Sequence, residues 1–222
     1  MGTLTKTRRV LVVDDHPIVR EGLRGLLGQD LEFAVCGEAA GVEEGLRQYR
    51  ALRPDAVIVD ISLGTDSGLD LITLIRNEPG SVAILALSML DEMTYAERAL
   101  RHGADGYVMK SEATDRLIAA LHRVLEGKPF VSASVADRLL STLARSGDGV
   151  RYSVDRLTDR ELEIFRLVGL GVRSVDIARK LGISPKTIET HRGRIKAKLG
   201  VETASELVIQ AASWVRDGRI KA

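Results

Sequence analysis

The stretch VLVVDDHP, residues 10–17, runs four apolar residues straight into two adjacent carboxylates, Asp14 and Asp15. A short valine-rich run of this kind reads as a buried strand. Neighbouring carboxylates raise each other's pKa and cost free energy unless something positive sits between them. Whatever supplies that charge must meet the chain where the strand ends.

Working outward, the same kind of run recurs four times before Gly127, in FAVCG, DAVIVD, VAILALS and DGYVMK. Between these runs lie IVREGLRGLLG, VEEGLRQYRAL, LDLITLIRN, EMTYAERALRHG and TDRLIAALHRVLEG, each apolar at helical spacing. Five strand–helix units in strict alternation predict an α/β, doubly wound, five-stranded parallel sheet covered by helices on both faces.

The totals fit that reading. A chain of 222 residues, 45% hydrophobic and 28% charged, has the composition of a globular protein with room for two domains. One cysteine, Cys36, excludes an internal disulfide and fits a reducing compartment. No basic start with an apolar core opens the chain, and no apolar stretch approaches the roughly 18 residues of a membrane span. The expectation is a cytoplasmic protein that makes no membrane contact. The net charge of +1 conceals an asymmetry: residues 151–222 carry 15 Lys and Arg against 9 Asp and Glu, the remainder 17 against 22. An acidic front and a basic back suggest domains with different partners. The expected division is an α/β domain at 1–127, a partly helical linker at 128–155 containing the polar RSGDGVR, and an all-α domain at 156–222.

In an open parallel sheet, ligands bind at the carboxyl ends of the strands near the switch in strand order. Here the first strand ends in Asp14 and Asp15, the third in Asp60, the fourth in Ser88 and the fifth in Lys110. Three carboxylates on one rim suit a hard cation such as Mg²⁺, which takes oxygen ligands and keeps several waters. Neither phosphate-cradling glycine loop, G-x-x-x-x-G-K-[ST] or G-x-G-x-x-G, is present after the first strand, and no Ser, Cys or His forms a triad. A carboxylate nucleophile remains: an Asp beside Mg²⁺ can accept a phosphoryl group. Lys110 would pair with a phosphate oxygen. Any one of these Asp residues alone could simply cap a strand-to-helix turn. His16 reads as a turn residue and Cys36 as core.

VLVVDDHPIVREGLRGLL, DAVIVDISLGTDSGLDLI and RHGADGYVMKSE together resemble the receiver domain of bacterial two-component response regulators of the NarL/FixJ type, a flavodoxin-like fold. The resemblance implies that Asp60 accepts a phosphoryl group from a sensor histidine kinase. It further implies that Asp14, Asp15 and Asp60 hold Mg²⁺ with the backbone carbonyl of Ser62. Ser88 would turn towards the phosphate, and Tyr107 would be the aromatic switch residue. One loop departs from the family, which usually has proline at 64 and glycine at 65: here the stretch is SLGTDSG, with a permissive Gly64 and an extra charge at Asp66.

The basic half reads as four short helices with marked ends. Thr158 with Glu161, and Thr203 with Glu206, have capping-box spacing, and Ser184 precedes Pro185 at a helix start. Gly171, Gly182 and Gly200 fall just past helix ends. SVDIARKLG and ISPKTIETHRGRIKAKLG have the helix-turn-helix arrangement. On the second helix Ile188, Ile195 and Leu199 face inward, and Lys186, Glu189, Thr190 and Gly193 lie opposite, with Thr187 adjacent. Arg192, Arg194, Lys196 and Lys198 flank that face, with Arg179 and Lys180 on the preceding helix. Positive flanks beside a slim polar face suit a major groove, although a charged helix face is often only solvated. The span LTDRELEIFRLVGLGVRSVDIARKLGISPKTIETHRGRIKAKLGVETASELV resembles a LuxR-type DNA-binding domain, which would make Glu189, Thr190 and Gly193 base-reading positions. Glu189 stands where a basic residue is common, so its carboxylate predicts a different base preference, cytosine N4 being the natural donor. On the last helix Leu207, Ala211 and Trp214 form one stripe, with Leu207 inward and part of the helix a dimer contact by resemblance.

The resemblance therefore implies a transcription regulator in which phosphorylation of Asp60 promotes homodimerisation and binding to double-stranded promoter DNA, not a turnover enzyme. Two other classes remain open on sequence. One is a constitutive DNA-binding regulator whose receiver is only an interaction platform. The other is a Mg²⁺-dependent aspartyl phosphatase, for which the usual second acid two residues after the nucleophile is replaced by Ser62.

Overall fold

Residues 7–64, 66–90, 92–144 and 154–219 are described by the computed structural model. The chain divides into two compact units, Met1–Leu139 and Leu140–Ala222.

In the first unit the apolar runs form strands β1 (Arg8–Val13), β2 (Phe33–Ala39) and β3 (Ala56–Asp60). A two-residue pair follows, β4 (Ser62–Leu63) and β5 (Asp66–Ser67), and then β6 (Ala83–Ser88) and β7 (Gly106–Met109). Five of them make one parallel sheet in the order β2-β1-β3-β6-β7. Helices α1 (Pro17–Leu27), α2 (Val42–Leu52), α3 (Gly68–Arg76) and α4 (Glu92–His102) connect them, and α5 (Ala113–Leu125) follows β7. Every residue of β3 and β6 is buried, as a parallel sheet with both faces covered requires. Leu23 and Leu27 of α1 and Leu117, Leu121 and Val124 of α5 close one face over Val10, Val12, Ile58 and Leu85. Strand order reverses between β1 and β3, so the crevice that such sheets offer to ligands opens beyond Val13 and Asp60.

Two local readings of the sequence need correcting. SLGTDSG is not a plain loop: Ser62 pairs with Ser67 and Leu63 with Asp66 in a small antiparallel hairpin. Gly64 turns it at φ +59°, as a two-residue hairpin loop demands, and a proline there could not adopt that angle; Thr65 lies outside the described residues. Cys36 is not core. The register against β1 jumps from Val35 to Gly37, leaving Cys36 as the extra residue of a bulge on an edge strand, half-buried.

Ser67 caps α3 by accepting from the Leu69 amide at 3.2 Å. Gly68 then packs so closely that a Cβ on it would lie 1.9 Å from the Asp60 carbonyl oxygen. This contact holds the start of α3 against the end of β3. Beyond α5, helix α6 (Ala133–Ala144) occupies part of the segment read as linker, whose residues 145–153 lie outside the described residues.

The second unit is all helix: α7 (Asp159–Gly169), α8 (Ser174–Lys180), α9 (Pro185–Leu199) and α10 (Ala204–Arg219). The capping boxes form as read, Thr158 with Glu161 and Thr203 with Glu206. Gly171, Gly182 and Gly200 all have positive φ. Ile188, Ile195, Leu207 and Ala211 are buried, and the Phe165 and Trp214 rings meet at 5.8 Å, which gives Trp214 a place in packing α10 on α7. Among the described residues no helix is long and apolar enough to cross a membrane.

The Gly68 contact predicts that Gly68→Ala destabilises the first unit by about 1–3 kcal/mol in urea unfolding, since overpacked methyl groups push backbone apart. Gly25→Ala in α1, where an added Cβ meets nothing within 4 Å, should stabilise by about 0.5–1 kcal/mol.

Candidate functional site

Strand register brings the first set of predicted residues together. Val13 lies beside Val59, so Asp14 comes abreast of Asp60. Asp60 lies beside Leu87, so Ser88 is one step further, and Ser88 lies beside Met109, so Lys110 follows. Asp14, Asp60 and Ser88 are all buried. The Lys110 ammonium bridges the carboxylates, 2.6 Å from Asp60 Oδ2 and 2.7 Å from Asp14 Oδ2. Part of the positive charge that the acidic pair calls for is thus a lysine from the far side of the sheet.

Burial pushes the Asp60 carboxyl up to about 6, with Lys110 pulling it down and Asp14 adding to the rise. Burial also works against the Lys110 ammonium, but Asp60 and Asp14 outweigh it and hold its pKa above the ordinary lysine value. Asp60 is therefore predominantly ionised at neutral pH, and Lys110 fully so. The Ser62 amide donates to Asp60 Oδ1 at 3.2 Å, fixing the carboxylate at the hairpin's edge.

Two residues near the pair go beyond the sequence reading. His16 is the residue before α1, and its Nδ1 sits 2.7 Å from Asp15 Oδ1 and 3.3 Å from Asp14 Oδ1. One ligand-type atom from each of Asp14, Asp15, His16 and Asp60 lies within 4.8 Å of the others. Arg20, one turn on, donates to the Asp14 carbonyl at 2.6 Å. Its spacing from His16 was the available signal, because i and i+4 share a helix face. The donor set at this rim is dominated by carboxylate oxygen, which fits a hard divalent cation such as Mg²⁺.

Ser88 and Tyr107 meet on one turn. Ser88 Oγ accepts from the Leu90 amide at 3.1 Å, and the Tyr107 hydroxyl donates to the Leu90 carbonyl at 2.8 Å. Tyr107 is fully buried.

The second set lies on α9 and α8. Lys186, Glu189, Thr190, Gly193 and Arg194 are exposed, as is Arg179 on α8, whereas Thr187, Arg192, Lys196 and Lys198 are partly covered. Thr187 is tied into the helix start by Ser184, which accepts from its amide at 3.1 Å. Thr190 Oγ1 donates to the Lys186 carbonyl, and a Cβ on Gly193 would meet nothing within 4 Å. Arg179 pairs with Asp176 at 3.3 Å, and Lys196 donates to the Glu202 carbonyl. Lys198 differs from its reading as a flanking cation: it turns inward to the buried Glu161, 2.6 Å away. Burial opposes ionisation of Glu161, but the Lys198 ammonium and the Thr158 amide outweigh it and hold the carboxyl below its ordinary value of 4.5.

Comparison with known proteins identifies both halves. Residues 10–122 match the response regulator receiver domain, and residues 155–211 match the luxR family of bacterial regulatory proteins. The transcriptional regulatory protein MctR of Rhizobium johnstonii is 37% identical over 200 residues, covering 90% of this chain and 91% of that protein. Among solved structures, a LuxR-family two-component response regulator from Aurantimonas is 36% identical with a TM-score of 0.58, over 63% of this chain and all of that one. RcsB of Salmonella enterica serovar Typhimurium, solved bound to a promoter in the presence of the phosphomimetic BeF3-, is 31% identical with a TM-score of 0.55, over 91% of this chain and 97% of that one. The chain belongs to the two-component response regulators, in the group that joins a receiver domain to a LuxR-type helix-turn-helix domain. It is a DNA-binding transcription regulator by family, not a turnover enzyme.

Two outcomes follow from the ion pairs. Lys110→Ala leaves Asp14 and Asp60 buried together without their cation and should destabilise the receiver by about 3 kcal/mol in urea unfolding at pH 7. Glu161, with its folded pKa lowered, stabilises the second unit fully above pH 4.5 and loses that contribution as pH falls below it. Thermal unfolding followed from pH 7 to pH 3 should therefore decline less steeply in Glu161→Gln than in the wild type.

Proposed function

We propose that the chain is a phosphorylation-controlled promoter-binding regulator in which Asp60 is the phosphoacceptor for a sensor histidine kinase. The observation that carries this reading is the buried Asp60 carboxylate held by Lys110 at 2.6 Å on the switch-point rim, in a chain whose other half is a LuxR-type domain. An Asp60 oxygen attacks the phosphorus, the bond from phosphorus to the kinase histidine nitrogen breaks, and that nitrogen keeps the electron pair. Asp14, Asp15 and Asp60, with the Ser62 backbone carbonyl, would hold Mg²⁺, which when bound offsets charge on the transferring oxygens. Lys110 is placed to release one carboxylate oxygen and take a phosphate oxygen in its stead. Ser88 would donate its hydroxyl to the phosphate.

The phosphoryl group brings roughly −1.5 to −2 charge by analogy with other phosphorylated side chains. Drawing Ser88 towards it would remove one of the two hydrogen bonds on Leu90, the turn that also anchors Tyr107. Loss of that anchor is a local event of the kind that biases a two-state element. On the output side Val208 and Ile209 of α10 stand exposed, which supports a homodimer through that helix when phosphorylated. Double-stranded promoter DNA is the partner of the face formed by Lys186, Glu189, Thr190, Gly193 and Arg194, with Arg179 beside it. The protein would act in the cytoplasm, where kinase and DNA meet. The domain division of 1–127, 128–155 and 156–222 belongs to the same proposal.

Incubation with acetyl phosphate and Mg²⁺ should add one phosphoryl group by intact mass, absent in Asp60→Asn and absent without Mg²⁺. Phosphorylation of Asp60→Asn to the wild-type level would overturn the assignment.

A further inference from the structure

The two helices of the DNA-binding motif are joined by a polar clip that the sequence does not announce. Ser174, the first residue of α8, donates its hydroxyl to Glu189 Oε1 on α9 at 2.9 Å. Arg192, one turn beyond Glu189, reaches back to the Ser174 oxygen at 2.8 Å and lies 3.5 Å from the same Glu189 oxygen. Ser174 thus donates to one side chain and accepts from the other, and the Arg192 charge neutralises much of the carboxylate's. Glu189 nevertheless keeps 61% of its side chain exposed, whereas Arg192 keeps 19%. One carboxylate oxygen is occupied by the clip, and the other is free to face a ligand.

A carboxylate is an unpromising group to bring to DNA, because the phosphates repel it. Held by Ser174 and Arg192, it becomes a single hydrogen-bond acceptor of fixed position with little net charge. On the major-groove edges, only cytosine N4 and adenine N6 offer donors. Adenine places its N7 acceptor beside N6, where it repels a carboxylate oxygen; cytosine has no acceptor on that edge. Room for the base is present one turn on, where Gly193 leaves open space.

We infer that Ser174 and Arg192 are positioning residues that fix Glu189 as a cytosine reader, so that base preference at one position of each half-site depends on a serine that need not touch the base. The inference rests on the DNA-binding reading above. A flexible Glu189 would accept from other donors within reach and lose discrimination, whereas a fixed one excludes guanine and thymine, whose edges present acceptors to it.

The test is selection from a randomised duplex library with the full-length phosphorylated chain, followed by affinities for the selected site and for the same site with that cytosine replaced. The wild type should enrich cytosine at one position per half-site, and Glu189→Ala should abolish the preference. Ser174→Ala should lower the ratio of the two affinities by about ten-fold, the low end for a hydrogen bond to a charged group, and Ser174→Thr, which keeps the hydroxyl, should restore it. A Ser174→Ala variant that weakens both duplexes equally would make Ser174 a phosphate contact and overturn the inference. Enrichment without cytosine would overturn it while leaving DNA binding intact. Failure to enrich any duplex would overturn the DNA-binding reading itself.

Discussion

Lys110 lies between two buried carboxylates, and much of the receiver depends on that placement. Without its ammonium, Asp14 and Asp60 would face each other at the rim of an apolar sheet, where like charges are held apart only at a cost of several kcal/mol. With it, the upward push of burial on the Asp60 carboxyl is opposed by an ammonium that both acids share. The arrangement is held from both sides. Strand register sets Asp14, Asp60 and Lys110 abreast, Gly68 presses α3 against the Asp60 carbonyl, and Arg20 holds the Asp14 carbonyl from α1. The carboxylates are thus held by backbone contacts on both sides, with the Lys110 ammonium paired to each of them.

Two hydrogen bonds carry the consequence towards α4. Ser88 and Tyr107 come from neighbouring strands, yet both close on Leu90, one through its amide and one through its carbonyl. A group that draws Ser88 away would therefore alter the footing of a fully buried tyrosine. In the second unit, inward-facing charge is used differently. Glu161 completes a capping box and binds Lys198, so the start of α7 and the end of α9 are fastened by one carboxylate. That fastening leaves the outer face of α9 to Lys186, Glu189, Thr190, Gly193 and Arg194.

Much of this was legible in the sequence because periodicity and chain ends are local properties. The alternation of valine-rich runs with amphipathic stretches gave the sheet, and the strand ends gave Asp14, Asp60, Ser88 and Lys110 as one rim. The caps at Thr158, Ser184 and Thr203 were equally readable, since each is written within four residues. What escaped depends on tertiary contact. The 62–67 hairpin has strands of two residues, too short for any period to show. Cys36 sits in a bulge, which depends on pairing with β1. Lys198 reads as one more cation on a basic helix until α7 brings Glu161 beneath it. His16 looks like turn punctuation, and only the folded loop sets its ring against Asp15.

The central claim is that the acidic rim governs the basic helix. It is tested most directly by measuring affinity for a promoter duplex with and without acetyl phosphate and Mg²⁺, for the wild type and Asp60→Asn side by side. The account predicts that phosphodonor tightens wild-type binding by about ten-fold or more, an ordinary allosteric coupling, and leaves Asp60→Asn unchanged. Equal wild-type affinity with and without donor, in protein shown by mass to be phosphorylated, would contradict it and leave the receiver as an interaction platform alone.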